Sequence, residues 1–335
     1  MPSANSSLFM TLRILDFNVW SGLTYLGAFE MGNYGGGDFI ERRLEFAVEQ
    51  IKRLDPDLVC LHELNPSPEI LRRLARSLNM DFYAKIHLSG IRLGPVGIPR
   101  NLREADGIFV KKGIRFSPLG KRKLSGGWVG EHASFNTTDA SQVLGIRLEW
   151  EGKSVCLFTT HWHAGVERGP DIEKRAAEIE KNKEASAAAV QKALRMLDDN
   201  VKTRMMEARR TLEFIGRFDC PRVILTGDFN SNPHSKEIGK ILSAGFSDSY
   251  AVCHPGEFGA TWDYASNVNH QKFYSEHDEN LYLRLNYTRL KMPHRLDYIF
   301  FHGAIHAVSS EIVLREEKDG LLASDHFGVM TSFEL

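Results

Sequence analysis

The feature that most limits how this chain can fold is a set of short apolar runs of strand length. Each run is followed by a polar residue. The first run, Leu12 to Phe17, ends at Asn18, and the second, Leu58 to Leu61, is followed two residues later by Glu63. The polar residues at such positions are Asn18, Glu63, His161, Asp228, Asn230, Asp297, Asp325 and His326. Each alone is typical of a turn, but a buried strand has no structural need for so many. The pattern therefore predicts strands whose polar ends form one site.

The first eighty residues alternate strand-like and helix-like segments. Asp38 is predicted to cap a helix and Glu41, three residues later, to complete a capping box, with apolar residues at helical spacing behind them. Asp55, followed by a proline, is predicted to end this helix, and Ser67 with Pro68 to begin a second one. The order strand, helix, strand, helix indicates an α/β protein.

Beyond residue 80, short strand-like segments separated by turns favour antiparallel pairing. Residues 171–218 are predicted to form one long helix or a pair of helices, and the first half, rich in alanine and charge, is expected to project with little to bury. The string RILDFN near the start is similar to VILTGDFN at 223–230, which suggests two equivalent strands with polar residues on one rim. We expect residues 1–335 to form a single domain built on two sheets.

Composition narrows the class of protein further. Lys and Arg number 42 against 43 Asp and Glu, a net charge of −1, so no global basic field supports nucleic acid as a partner. Four cysteines are too few for a disulfide scaffold, and Cys60 and Cys156 lie inside apolar runs, as expected of free thiols in a reducing compartment. With no secretory signal and no apolar stretch near the ~18 residues of a membrane span, we expect a cytoplasmic protein, with peripheral membrane association left open.

Several short strings occur in an order that is typical of one enzyme superfamily. GDFN at 227–230 and SDH at 324–326 are the strongest, with RLDY at 295–298 and Thr261-Trp262 ahead of SDH. On these strings the chain resembles the endonuclease/exonuclease/phosphatase superfamily over residues 12–333. The resemblance implies a deoxyribonuclease-like α/β/β/α sandwich of four layers, built on two mixed, mostly antiparallel sheets. It also implies cleavage of phosphoester bonds with a divalent metal, usually magnesium.

The residues themselves are consistent with a hard cation. Glu63, Asn18 and Asp325 offer only oxygen donors, and an all-oxygen set suits Mg²⁺, or Mn²⁺, rather than structural zinc. A metal on a phosphoryl oxygen neutralises developing charge and orients the ester for in-line attack by a water. We therefore expect these three residues to be the metal ligands.

The remaining positions suggest proton transfer and phosphate binding. His326 can take a proton from the attacking water, and Asp297 is predicted to fix the tautomer of that histidine. The resemblance implies that Asp228 and Asn230 orient the water and bind phosphoryl oxygens. It also implies that His161 contacts the phosphate or assists the leaving group. The sequence leaves open whether Asp228 or His326 is the general base.

A more specific resemblance, to one group within the superfamily, bears on the substrate. The strings TWD at 261–263, Asn267, LDYI at 296–299 and SDH at 324–326 follow one another as they do in neutral and bacterial sphingomyelinases. Lipid hydrolysis needs contact with an interface, and the segment SGIRLGPVGIP at 89–99 is apolar apart from one arginine. This loop either enters a membrane surface or packs on its own domain, and no aromatic-tipped β-hairpin is evident in the sequence.

Two departures from the family pattern bear on the alternatives. Trp20 stands where the nuclease branch often has an acidic residue, which weakens the nuclease hypothesis, and His62 stands where glutamine is common and either touches substrate or packs. Three hypotheses follow. The protein is a sphingomyelinase-type phosphodiesterase acting on phospholipid at a membrane surface, a Mg²⁺-dependent endo- or exonuclease of the same fold acting on nucleic acid, or a catalytically inactive binding protein. No protein partner can be inferred.

Overall fold

The computed structural model describes residues 11–24, 29–130, 133–136, 140–275 and 281–335. The strands are β1 (Leu12–Asn18), β2 (Leu23–Thr24), β3 (Gly32–Asn33), β4 (Leu58–Leu64), β5 (Met80–Leu88), β6 (Gly90–Leu93), β7 (Val96–Ile98), β8 (Glu104–Lys111), β9 (Phe116–Lys123), β10 (Trp128–Val129), β11 (Ala133–Asn136), β12 (Gln142–Trp150), β13 (Lys153–His161), β14 (Arg222–Asp228), β15 (Ser247–Asp248), β16 (Asp297–Gly303), β17 (His306–Val313) and β18 (Gly328–Glu334). The helices are α1 (Gly36–Leu54), α2 (Glu69–Leu78), α3 (Pro170–Lys181), α4 (Ala187–Ile215), α5 (Lys236–Ser243), α6 (Ser249–Cys253), α7 (Val268–Ser275) and α8 (Leu281–Leu290).

Two six-stranded sheets form the centre of the fold. Their strand orders are β17-β18-β1-β4-β8-β5 and β15-β16-β14-β13-β12-β9. Each sheet has one parallel pair, β1 with β4 and β13 with β14, and its other neighbours are antiparallel. The fold class expected from the sequence, with two mixed and mostly antiparallel sheets, is confirmed.

Alternation along the strands produces the layers, because successive side chains point to opposite faces of a sheet. In β1, Leu15 and Phe17 pack under α1 and α2, whereas Leu12 and Ile14 face the second sheet. The second sheet places apolar residues such as Phe158 on its outer face, against α4 and α5. The order of layers is therefore helices, sheet, sheet, helices.

The similarity between RILDFN and VILTGDFN has a structural counterpart. β1 carries the first string and β14 carries the second, and each has a parallel neighbour on one side and an antiparallel neighbour on the other. The two parallel pairs end at the same rim, where Asn18 of β1 donates from Nδ2 to Oδ2 of Asp228 in β14 at 3.0 Å. The two equivalent strands thus bring their polar ends together.

The predicted helix starts were wrong by three residues in α1 and by one residue in α2. Helix α1 begins at Gly36, after Gly35 with φ 68°, a left-handed conformation that glycine adopts without strain, so Asp38 lies in the first turn instead of capping it. Pro68 occupies the N-cap position of α2, and the Ser67 hydroxyl donates to the Leu64 carbonyl at 2.8 Å instead of accepting from an N–H group of the helix. Asp55 does end α1, as predicted.

The segment at about 171–218 contains two helices, and its first half is not a projection. Helix α3 buries Ile172, Ala176 and Ile179 in a cluster with α4 and with Leu285 of α8. The sequence pattern underestimated this burial because α8 lies about a hundred residues later in the chain. Ser186 begins α4 as a cap, since its side chain accepts from the Ala189 N–H.

The apolar segment at 89–99 is a β-hairpin and not an irregular loop. Strands β6 and β7 pair with each other, β6 also pairs with β11, and β11 pairs with β10. This four-stranded sheet, the small sheet below, exposes large apolar side chains. They are Leu93 (76% exposed), Val96 (75%), Phe135 (65%) and Trp128 (56%). Within the described part of the chain, no helix combines the length and the apolar run needed to cross a membrane.

Candidate active site

The eight polar residues predicted from the strand ends lie together at one rim of the two sheets. The first sheet contributes Asn18, Glu63 and, from the loop before β18, Asp325 and His326. The second sheet contributes His161, Asp228, Asn230 and Asp297. The parallel pairs β1/β4 and β13/β14 explain the convergence, since the carboxyl ends of parallel strands meet at the same edge.

Glu63 is aimed by an irregularity in its strand. The pairing of β4 with β8 shifts between Leu61 and Leu64, and Glu63 itself has φ 60°. A bulge of this kind re-aims a side chain, and a left-handed φ at a non-glycine residue persists only where its surroundings enforce it. Oε1 of Glu63 accepts from Asn18 Nδ2 at 2.9 Å, and Oε2 accepts from the N–H and hydroxyl of Ser21 at 2.9 and 3.0 Å.

His326 and Asp297 form a buried dyad. Nδ1 of His326 lies 2.8 Å from Oδ2 of Asp297, and Nε2 lies 3.7 Å from Oδ2 of Asp228. Burial by itself lowers the pKa of His326, but the carboxylates of Asp297 and Asp228 raise that pKa well above its usual value. Burial also raises the pKa of Asp297 to about 6, against the opposing effect of His326.

Asp228 is the centre of the contacts between the two sheets. Besides Asn18 and His326, it faces His161, whose Nε2 lies 3.6 Å from Asp228 Oδ2. Although burial disfavours the charged form, the two histidines hold the pKa of Asp228 below its ordinary value. Asn230 has φ 48° and places its Nδ2 3.2 Å from His161 Nε2.

Asp325 faces Glu63 across the site. Burial is the largest cause that raises the pKa of Asp325 to about 6, and the negative charge of Glu63 adds to the effect. The Ser324 hydroxyl donates to Asp325 Oδ1 at 3.0 Å. Two carboxylates in this arrangement are stabilised by a cation between them.

Thr261 and Asn267 bind the backbone of two segments of the candidate site. The Thr261 hydroxyl oxygen accepts from the N–H groups of Leu296 and Asp297 at 3.0 and 3.1 Å. Asn267 donates from Nδ2 to the carbonyls of Ser324 and Asp325 at 3.1 and 3.0 Å. These residues therefore act through the backbone of the segments that carry Asp297 and Asp325.

Arg43, which the sequence analysis missed, connects the loop after β1 with the loop before β18. Its guanidinium donates to the carbonyls of Val19, Trp20 and Ala323 at 2.8–3.2 Å and lies 4.6 Å from the centre of the Trp20 ring. Trp20 also contacts the rings of Tyr34, Phe39 and Phe273. Trp20 therefore belongs to an aromatic cluster, and no pattern in the sequence marks Arg43 as its partner.

A second buried polar network lies behind the site, and the sequence revealed only part of it. His62 is fully buried, with Nδ1 3.2 Å from Asp106 Oδ1 and Nε2 3.1 Å from Asp16 Oδ1, so it packs inside the protein. His87 and Glu104 continue the network through a contact of 3.2 Å. Asp16 and Asp106 interrupt strand-like runs, a signal that could have identified them.

A cavity of about 810 Å³ opens over the polar cluster and has walls of different character. Its floor includes Glu63, Asp228 and His326, whereas β5, the small sheet and the segment after it supply an apolar wall. The apolar lining residues from these elements are Leu88, Ile91, Ile98, Pro99 and Leu102. Two arginines also line the cavity, and both are ion-paired, Arg204 with Glu237 and Arg289 with Asp171 and Glu167.

Comparison with solved structures agrees with this architecture. TDP2 of D. rerio complexed with a single-strand DNA product is 18% identical, with a TM-score of 0.59 over 97% of this chain and 99% of the other. A humanized D. rerio TDP2 is 17% identical, with a TM-score of 0.60 over 97% of this chain and 99% of the other. An endonuclease/exonuclease/phosphatase from Bacteroides vulgatus is 15% identical, with a TM-score of 0.58 over 97% of this chain and 99% of the other. At these identities the similarity shows the fold alone.

A search of curated proteins finds no match to the chain. The comparison with protein families is more specific. The model of the Endonuclease/Exonuclease/phosphatase family matches residues 17–326, which include all eight residues at the rim. Members of that family are typically divalent-metal-dependent hydrolases of phosphodiester bonds. The family match and the two-sheet fold confirm the superfamily resemblance, and the chain belongs to the endonuclease/exonuclease/phosphatase family.

Proposed function

We propose that this protein is a Mg²⁺-dependent phosphodiesterase that hydrolyses a phospholipid of the sphingomyelin class, as a sphingomyelinase C does. The observation that carries the proposal is the apolar wall of the cavity, which is continuous with the exposed apolar face of the small sheet. A lipid headgroup fits the polar floor, and its acyl chains require an apolar path to the membrane. The hairpin β6–β7 would provide both surfaces.

The donor set fits a hard divalent cation. Glu63 and Asp325 supply facing carboxylates, and the oxygen donors suit Mg²⁺ or Mn²⁺. Asn18 donates its Nδ2 to Glu63 and Asp228, so ligation through its Oδ1 requires the amide to turn over and give up the hydrogen bond from the Trp20 N–H. When bound, the cation would offset charge on the phosphoryl oxygens.

The other polar residues would activate the attacking water and bind the phosphate. Asp297 holds His326 through Nδ1, which leaves Nε2 turned towards Asp228 and the cavity. Either His326 or Asp228 would remove the proton from the attacking water. Asn230 would bind a phosphoryl oxygen, and His161 would contact the phosphate or protonate the leaving oxygen.

The apolar wall favours lipid over a polymeric nucleic acid. Nucleic-acid binding depends on Lys and Arg that neutralise phosphates, but the two arginines that line the cavity are already paired with carboxylates. On the opposite side, Ile91 and Ile98 of the hairpin line the cavity, while Leu93 and Val96 of the same hairpin point to solvent. Ile91 pairs with Ile98 and Leu93 pairs with Val96, and residues two apart on a strand share a face. All four therefore lie on one face of the hairpin, which a lipid would follow from the interface into the cavity.

A nuclease is the second candidate. One specific observation favours it, because the D. rerio TDP2 structure with the same fold is complexed with a single-strand DNA product. A panel of sphingomyelin vesicles, plasmid DNA, short single-stranded DNA and a soluble chromogenic phosphodiester, each with and without Mg²⁺, separates the two candidates. Rapid cleavage of DNA with no hydrolysis of sphingomyelin would contradict the lipid proposal.

The exposed end of the hairpin, with Leu93 and Val96, can be tested apart from the cavity. We expect Leu93→Ser with Val96→Ser to lower turnover of vesicular sphingomyelin about tenfold or more, because each apolar side chain contributes on the order of 1 kcal/mol when an interface covers it. Hydrolysis of the soluble phosphodiester should stay unchanged, because neither residue lines the cavity. Vesicle sedimentation should show weaker binding in parallel.

A matched control removes similar apolar area elsewhere. Met196 on α4 and Val308 on β17 are half exposed and lie outside the small sheet, so Met196→Ser with Val308→Ser should leave vesicle turnover unchanged. Equal loss on both substrates in the hairpin variant would mean that the hairpin is structural. Unchanged vesicle turnover in that variant would remove the small sheet from the proposal.

A further inference from the structure

A second group of potential metal ligands lies behind His161, apart from the oxygen donors of the active site. His87 is the penultimate residue of β5, Asp106 lies in β8 and His161 ends β13, so both large sheets contribute. One potential ligand atom of each residue lies within 4.8 Å of the other two. His87 and Asp106 are buried, and His161 reaches the cavity.

One nitrogen of this group faces a carboxylate oxygen without making a hydrogen bond to it. Nδ1 of His87 is buried and makes no hydrogen bond to any of the described residues, although it lies 3.1 Å from Oδ2 of Asp106. Buried polar nitrogens are normally paired. Two ligands bound to one ion at about 2.0–2.2 Å stand about 2.9–3.4 Å apart, so this separation fits two atoms that face a common cation.

His87 and Asp106 are each held by a further partner, as metal ligands usually are. Nε2 of His87 lies 3.2 Å from Oε1 of Glu104, the carboxylate–histidine arrangement that fixes a ligating imidazole. Oδ1 of Asp106 lies 3.2 Å from Nδ1 of His62, and His62 in turn contacts Asp16 at 3.1 Å. Burial lowers the pKa of His62 and of His87, but the carboxylates of Asp16, Glu104 and Asp106 raise each pKa above its ordinary value, to about 10 for His87. A divalent cation bound to His87 would replace the proton on its ligating nitrogen as the positive charge that faces these carboxylates.

We propose that His87, Asp106 and His161 bind a transition-metal ion of the Zn²⁺ class, separate from the Mg²⁺ site. Two imidazole nitrogens and one carboxylate oxygen are donors that Zn²⁺ and Co²⁺ prefer and that Mg²⁺ does not. Three protein ligands leave a coordination position open, and His161 and Glu104 both line the cavity. The ion would also fix the imidazole of His161 beside Asp228.

Metal retention tests this site without any enzymatic assay. The full-length protein is stripped with chelator, loaded with Zn²⁺ in the presence of excess Mg²⁺, passed through gel filtration and analysed for bound zinc. We expect the unmodified chain to retain zinc and His87→Gln to bind it at least about tenfold more weakly. Co²⁺ in place of Zn²⁺ should give visible absorption bands that His87→Gln loses.

Controls separate this site from the active site. Glu63→Ala removes an oxygen ligand and should retain zinc. Because Asp228, Asp297 and His326 also lie close enough to hold an ion, the comparison is repeated in His326→Ala, where the His87→Gln effect should persist. Glu104→Gln, which keeps all three ligands and loses their outer partner, should weaken binding about 10–100-fold and covers the case in which His87→Gln does not fold.

The outcomes are independent of the proposed function. Retention of zinc that is equal in the unmodified chain, His87→Gln and Glu104→Gln, or absent from all three, would overturn the second site. Sphingomyelin hydrolysis with Mg²⁺ alone could still be observed in that case. Conversely, zinc retention that depends on His87 in a chain without lipid hydrolysis would leave the second site standing and contradict only the substrate.

Discussion

Replacing Glu63 by alanine is expected to lower kcat/KM for any phosphodiester at least about a hundredfold, because a metal that stabilises charge on the phosphoryl group contributes several kcal/mol to the barrier. The same loss should follow when EDTA is added to the unmodified protein, and Mg²⁺ or Mn²⁺ should restore activity. Initial rates with a soluble chromogenic phosphodiester measure both effects without involving an interface.

A control for this experiment is Glu149→Ala, at an exposed position near the end of β12, which should keep full activity and full sensitivity to EDTA. Thermal unfolding of Glu63→Ala should remain cooperative, so that the lost activity reports on the site. Full activity of the unmodified protein in chelator would contradict metal dependence altogether.

The second large effect concerns the dyad. We expect Asp297→Asn to lower kcat on the order of a hundredfold, because an amide at this position no longer holds His326 in one tautomer. His326→Ala should lower kcat at least as much. The double variant should lose little more than His326→Ala alone, since residues that act as one unit are not additive. Steady-state kinetics of the three variants measure this coupling.

Asn matches Asp in size at position 297 but does not carry the charge that faces His326. Burial raises the pKa of the Asp297 carboxyl to about 6, and the same carboxylate raises the pKa of His326, so the two side chains stabilise each other's charged forms. Removal of one partner of a buried charge pair is destabilising, so the melting temperature of Asp297→Asn should fall, and kcat is compared at a temperature at which all variants are folded. If the losses of the two single variants multiplied in the double variant, the two residues would act separately.

The sequence predicts the site better than it predicts the surroundings of the site. Asn18, Glu63 and Asp228 stand out because a carboxylate or amide at the end of an apolar strand has no role in packing, and strand ends of one sheet lie close together. His87 gave no such signal. Its partners Asp106 and Glu104 belong to a neighbouring strand, and only the pairing of β5 with β8 brings them together.

Long-range pairing also explains why the small sheet could not be foreseen. The apolar residues at 89–99 are compatible with a buried loop as long as their neighbours are unknown. They become an exposed sheet because β11, some forty residues further on, pairs with β6 and contributes Phe135. Helix α3 is the opposite case, since a segment with few apolar residues becomes buried when α8 covers it.

The hydrogen bond between Asn18 and Asp228 joins residues 210 positions apart, and this separation has a kinetic consequence. Contacts between distant segments require costly loop closure and form late in folding, after local helices and hairpins. The rim of the two sheets is therefore expected to be among the last parts of the molecule to assemble. In a refolding experiment, hydrolytic activity should return after the far-ultraviolet circular dichroism signal does, and the delay would measure the time that the two sheets need to dock.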